Sequence, residues 1–301
     1  MSLTPITPRE FLAVSGKLGS GKDLITSIIQ MATCEDREIV EEFYETPLKT
    51  LREYAGVFEP LSRFENRKFA DQLKHIVAGL LGITVRQMDD RAYKEAELGE
   101  EWWYYNIDGE TIAYSETKHF SAEDREKLSS FLVKLTPRKL QQLIGTEGGR
   151  KLIHPNIWIN ATFNKCKLNE NGERPSWIIS DVRFKSERKA VEERGGIVIR
   201  VIRYKLLSEW LEDYAIDLSF MEEYENLKMS DVDFLAFFNE LDNDILKDVS
   251  EKLNHASETE LDNATFKYVI HNDCCVEELV NRVREILLTE GFVLSETLVK
   301  Q

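Results

Sequence analysis

V-S-G-K-L-G-S-G-K-D, Val14 to Asp23, is the stretch on which the fold turns. Gly16, four intervening residues, Gly21 and Lys22 spell the G-x-x-x-x-G-K core of a phosphate-binding loop. The apolar run Phe11-Leu12-Ala13-Val14 stands before it, short enough for a buried strand, and Leu24, Ile25, Ile28, Ile29 and Met31 follow at helical spacing. The loop is therefore expected to join a strand to the N-terminus of a helix. Glycines at 16, 19 and 21 allow successive N–H groups to line one concavity, and the helix directs its positive end at the same place. Lys17 and Ser20 lie within this cradle, and Lys22 would add a mobile charge on the β and γ phosphates. Asp23 stands where a serine or threonine usually coordinates magnesium. Its carboxylate could meet the metal through water or face the phosphate acceptor; the plainer alternative is a first-turn carboxylate favoured by the helix dipole.

Working outward, 301 residues with 42% hydrophobic content suit a soluble globular protein with a sizeable core. No run of about 18 apolar residues and no signal-peptide pattern occurs, so the expected location is the cytoplasm, away from membranes. A formal net charge of -15 disfavours a nucleic-acid polymer as partner, yet permits small phosphorylated substrates, whose site needs only a few placed cations. Cys34, Cys166, Cys274 and Cys275 form no C-x-x-C pattern and read as reduced thiols rather than zinc ligands.

Strand candidates fall near residues 11, 67, 178, 198 and 268 and are separated by helical segments, which predicts an α/β fold: a five-stranded parallel sheet flanked by helices. Asp108-Gly109 predicts a hairpin after the aromatic cluster Trp102-Trp103-Tyr104-Tyr105, for which packing is favoured over base stacking. In T-P-R-K-L-Q-Q-L-I-G-T-E-G-G-R, Thr136 to Arg150, Thr136 can cap a helix with Pro137 in its first turn, placing Arg138 and Gln142 on one face. Gly145, Gly148 and Gly149 are then expected to loosen the backbone ahead of Arg150. Two arginines and a glutamine around such a turn suit a phosphate and a base edge; the alternative is a solvated helix with a glycine C-cap. Trp177-Ile178-Ile179 reads as a buried strand closing in Ser180-Asp181-Val182-Arg183, and parallel sheets bind ligands at strand carboxyl ends, so Asp181 and Arg183 are expected on the rim of the phosphate loop. Asp181 could hold magnesium through water, or be ordinary turn chemistry. Residues 204–254 lack glycine and proline and read as an acidic helical insertion. A last strand ends at His271-Asn272-Asp273, and a helix closes the chain.

The stretches S-G-K-L-G-S-G-K-D, F-A-D-Q-L-K, T-P-R-K-L-Q-Q-L-I-G-T-E-G-G-R, W-I-I-S-D-V-R-F and, more loosely, S-E-T-E-L-D with V-I-H-N-D resemble the phage-type deoxynucleoside monophosphate kinases, within the nucleoside monophosphate kinase-like phosphate-loop enzymes. The last two also look like phosphomevalonate kinases. The resemblance implies transfer of the γ-phosphoryl of ATP, with Mg2+, to a deoxynucleoside 5′-monophosphate. It implies that Gly16, Gly19, Gly21 and Lys22 hold ATP, with Asn272 and Asp273 as further nucleotide candidates. Arg138, Gln142 and Arg150 would hold the acceptor, with Lys68 and Trp158 as weaker candidates. Asp181 and Asp23 would sit near magnesium and Arg183 near the transferred group. Asp23 replaces the hydroxyl residue here as it does in that family. The implied organisation is a phosphate-loop core of 1–62, 154–203 and 257–301, a monophosphate-binding region of 63–153 and a helical lid of 204–256, longer than the family's and a possible interface between two copies. Two other readings remain at this point: a kinase of a non-nucleotide phosphate, such as phosphomevalonate or dephospho-coenzyme A, and a module that senses ATP without turnover.

Overall fold

Phe11–Ser15, four apolar residues and a serine, forms strand β1 and is buried along its whole length, as the middle of a two-sided sheet requires. The computed structural model describes residues 10–54, 62–168, 170, 172, 174–213, 227–240 and 254–292. Along the chain follow β2 (Glu65–Arg67), β3 (Trp103–Ile107), β4 (Glu110–Ala113), β5 (Leu132–Lys134), β6 (Trp177–Val182), β7 (Ile197–Ile202), β8 (Lys205–Leu206), β9 (Lys228–Met229) and β10 (Tyr268–His271). One sheet has the order β10-β7-β1-β6-β2, and every neighbouring pair in it is parallel. These are the five strands expected from the sequence, and the fold is that of the phosphate-loop kinases. Parallel neighbours need long crossovers, supplied here in part by the helices Lys22–Ala32 and Lys185–Glu192.

The order places the loop. From β1 the chain runs to the β2 edge, returns to β6 beside β1, then crosses to β7 on β1's other side, so Leu12 pairs with both Ile178 and Ile197. The strand order thus reverses at β1, and ligands bind in the crevice outside such a point. Residues 16–21 fill that position. The helix Lys22–Ala32 turns Ile25, Ile28 and Ile29 inward at helical spacing, where they join Leu12, Val14, Ile178, Ile199 and, from the helix Val276–Thr289, Val280, Val283 and Leu287 in one core. Each such side chain contributes roughly 1.5–3 kcal/mol relative to exposure.

The chain divides into two compact units, Ala70–Ala161 and the remainder. In the smaller unit β4-β3-β5 form an antiparallel sheet. Asp108 and Gly109 both take positive φ, 52° and 89°, as the tight hairpin predicted there demands. The aromatic cluster packs: Tyr105 is buried, and the Trp103 indole N–H donates to the Leu98 carbonyl over 2.8 Å. Strand β5 is not among the strands expected from the sequence.

Thr136 caps the helix Pro137–Gln142 as predicted, its hydroxyl accepting from the Lys139 N–H at 3.1 Å. The glycines beyond it do not loosen the backbone. Leu143–Ile153 instead continues as a wide π-type helix, ending where the His154 N–H donates to the Gly149 carbonyl at 2.9 Å. Close approach explains the glycine: a Cβ on Gly149 would lie 2.8 Å from the Trp158 ring.

The predicted helical insertion is described in part. Leu207–Asp213 and Asp231–Glu240 are helices, joined by an antiparallel ladder of β8 and β9 that periodicity did not suggest. Trp210 anchors the piece, stacked on Phe234 at 5.3 Å with its indole N–H on the Met229 carbonyl. Residues 214–226 and 241–253 of the expected lid lie outside the described residues. Among the described residues, no helix is long and apolar enough to cross a membrane.

Candidate functional site

The loop's shape is held from behind. Gly21 begins the helix Lys22–Ala32 with φ 91°, a left-handed conformation that side chains resist. The Asn272 amide donates to the Ser20 carbonyl at 2.9 Å, and a Cβ on Gly21 would lie only 2.0 Å from that amide nitrogen. Asn272 thus braces the loop, and Asp273 beside it pairs with Arg282 at 3.9 Å. Gly21→Ala is expected to lower stability by about 1–3 kcal/mol, from backbone strain and the displaced asparagine. Urea unfolding measures that loss, and an ADP titration of the same variant should show nucleotide binding lost with the loop's shape.

Lys22 is buried, with its Nζ 3.3 Å from the Lys17 carbonyl. Burial pushes its pKa down, and Arg183 pushes it further, against the opposing pull of Asp23 and Glu258. An ammonium held in such a place gains strongly from an arriving anion. Within the same loop the Ser20 hydroxyl is buried with no hydrogen-bond partner among the described residues.

A charge network joins the loop to residues far along the chain. Lys17 turns away from the cradle: its Nζ donates to Asp262 Oδ2 at 2.7 Å and to the Glu258 carbonyl. Arg200, a charged residue inside the apolar strand β7, reaches the Ser15 hydroxyl at 3.3 Å and Asp262 Oδ1 at 3.4 Å. Arg183 pairs with the Glu258 carboxylate. Burial pushes the Glu258 carboxyl up, but the charges of Arg183, Lys17 and Lys22 outweigh it and hold the group below the usual carboxylate range.

Asp181, near the end of β6, accepts the Phe69 N–H at 2.8 Å. Buried Glu187 accepts the N–H groups of Arg183 at 2.8 Å and Phe184 at 3.1 Å, which fixes the turn that presents Arg183. Lys68 lies 3.7 Å from Asp23, whose side chain is 74% exposed at the start of the helix. The larger unit therefore holds Gly16, Lys17, Gly19, Ser20, Gly21, Lys22, Asp23, Lys68, Asp181, Arg183, Asn272 and Asp273, while Arg138, Gln142, Arg150 and Trp158 belong to the smaller.

In the smaller unit Arg138 is ion-paired with Glu95, while Gln142 and Arg150 are half-buried. Trp158 is a packing residue, 4% exposed, with its indole N–H donating to the Gly145 carbonyl at 2.8 Å. Arg200 escaped the sequence reading, and Glu258 and Asp262 stand in the S-E-T-E-L-D stretch of the resemblance with no role assigned to them. A signal existed for Arg200: an arginine inside Ile-Val-Ile-Arg-Val-Ile must find a buried partner if the run is a central strand.

No protein-family profile matches the sequence. Over 203 residues, 60% of this chain and 71% of the other, it is 25% identical to the deoxynucleoside-5′-monophosphate kinase of Escherichia phage T5, and the two proteins are distant relatives.

Proposed function

We propose that this protein is a kinase that transfers the γ-phosphoryl group of ATP to a deoxynucleoside 5′-monophosphate, giving the diphosphate. The observation that carries this reading is the glycine loop at the sheet's switch point, with Lys22 buried beside it among cations. The distant kinase relative and the acceptor-like stretch Thr136–Arg150 point to a nucleotide acceptor.

Phosphoryl transfer demands positioning and charge neutralisation more than covalent chemistry. The loop N–H groups would hold the β and γ phosphates, Lys22 would follow the charge that builds between them, and Arg183 would stabilise the group in flight. The donor set fits magnesium. No group of three or more His, Cys, Asp or Glu residues converges among the described residues, and magnesium in kinase sites takes one or two carboxylates and draws its other oxygens from phosphate and water. Asp181, its carboxylate oriented by the Phe69 N–H, and Asp23 would hold it. When bound, the ion neutralises phosphate charge. Arg138, Gln142 and Arg150 would bind the acceptor, and residues 204–256 would serve as the lid that excludes water.

The test is an ADP-release assay with Mg-ATP and a panel of ribo- and deoxynucleoside monophosphates, with products identified by chromatography. Turnover of deoxynucleotides is expected. Silence across the panel with ATP still bound would move the reading to a non-nucleotide acceptor or a sensing module. Arg150→Ala should raise KM for the monophosphate at least about tenfold, as loss of a charged hydrogen bond does, and leave KM for ATP nearly unchanged. A change confined to ATP would reassign Arg150 to the donor.

A further inference from the structure

Glu258 is a buried carboxylate with an unusual set of neighbours. One oxygen accepts from Arg183, which is 75 residues away in sequence. The other is buried with no hydrogen-bond partner among the described residues. Lys17 donates to its backbone carbonyl, and Lys22 and Lys17 are both close enough to act on its charge. A general base is not needed here, because a phosphate acceptor is already an anion and has no proton to surrender; a carboxylate clamped by an arginine would be a poor base in any case. What the surroundings do need is negative charge. Lys22 and Arg183 repel each other in a partly desolvated place, and Arg183 disfavours the charged form of Lys22.

We propose that in the nucleotide-free protein the Glu258 carboxylate stands in for a phosphate, holding Arg183 in place and balancing Lys22 until the nucleotide's own phosphates take both over. This rests on the phosphate-loop reading above and makes Glu258 a positioning residue. The carboxylate and the polyphosphate compete for the same cations, so the two are negatively coupled. Removing the charge takes one balancing anion from Arg183 and Lys22 and raises the free energy of the nucleotide-free protein, which the arriving polyphosphate then relieves.

The direction of the effect separates this from a purely structural role. Calorimetric titration of Glu258→Gln with ADP and with inorganic tripolyphosphate should show both binding roughly tenfold more tightly than to the wild type. The ligand-free variant should melt lower and show a larger rise in Tm on adding ADP. A residue that merely held the segment in place would, on removal, weaken binding of both ligands; equal or weaker binding overturns the proposal. Glu258→Asp covers the case in which the amide variant does not fold. Its shorter arm loosens the hold on Arg183 while keeping the charge, so tighter binding by a smaller factor supports the proposal, and unchanged or weaker binding overturns it. If the wild type binds neither ligand, the phosphate-loop reading fails and the proposal falls with it; if the wild type binds and the variants bind no tighter, only the proposal fails.

Discussion

Lys22→Ala is expected to cut kcat for phosphoryl transfer by about 10²–10³-fold, the usual cost of removing one donor aimed at developing charge. The same change should not unfold the protein. Burial, followed by the repulsion of Arg183, holds the Lys22 pKa below its ordinary value, so the folded state binds this proton less tightly than the unfolded state does. A base shifted in that direction imposes a folding penalty that is complete at pH values below its folded pKa. The penalty fades as pH rises from the folded pKa to the unfolded one, so stability climbs with pH across that window. Alanine removes the penalty, and the lost contact is a single 3.3 Å approach to the Lys17 carbonyl. Thermal melts near neutral pH should therefore give a Tm equal to the wild type's or higher, while the ADP-release assay reports the loss of turnover. Near-normal turnover would remove the case for the loop. A sharp fall in Tm would make Lys22 a brace of the loop instead of its ligand-facing charge.

What the sequence revealed and what it hid follow from range. The phosphate loop, the strand before it and the helix after it lie within about twenty residues, and glycine spacing and apolar periodicity are local signals. The Asp108-Gly109 hairpin and the Thr136 cap were legible for the same reason, since each is decided by two to four adjacent residues. The central strands β1, β6 and β7 were legible because strands buried on both faces read as largely apolar runs. β5, β8 and β9 are three residues or fewer and offer no such run. The π-type stretch Leu143–Ile153 was misread because three glycines suggest a turn, whereas Gly149 serves close packing against Trp158.

The candidate site divides in the same way. Gly21 and Lys22 announce themselves by spacing, but the groups that set their electrostatics arrive from the far end of the chain. Lys17 and Asp262 are 245 residues apart, and although S-E-T-E-L-D carries part of the resemblance, nothing local in it tells that Asp262 and Glu258 reach the phosphate loop. Asn272 is a nucleotide candidate through the resemblance that V-I-H-N-D carries. The structure shows its amide turned to the Ser20 carbonyl, a contact that no local pattern encodes.

Asp262→Ala should be the most destabilising single change in the network. Asp262 lies between two buried cations, Lys17 at 2.7 Å and Arg200 at 3.4 Å, and its own side chain is only 13% exposed. Removing one partner of a buried ion pair costs about 3–5 kcal/mol, because the charge left behind keeps its desolvation penalty and loses its compensation. Here two cations are left, one inside the phosphate loop and one inside β7. The loss should appear in urea unfolding as a lowered midpoint with an unchanged slope. A double-mutant cycle locates the effect: if the ion pair carries it, Lys17→Met and Asp262→Ala together should cost less than the sum of the two single changes, since the double variant no longer buries a lysine charge that has lost Asp262. Additive costs would mean that Asp262 acts through Arg200 alone. Because Lys17 is a loop residue, the single variant should also bind ADP more weakly, which ties the loop's working shape to a contact made 245 residues later. Intact stability with weakened ADP binding would instead show that Asp262 shapes the loop without holding the fold.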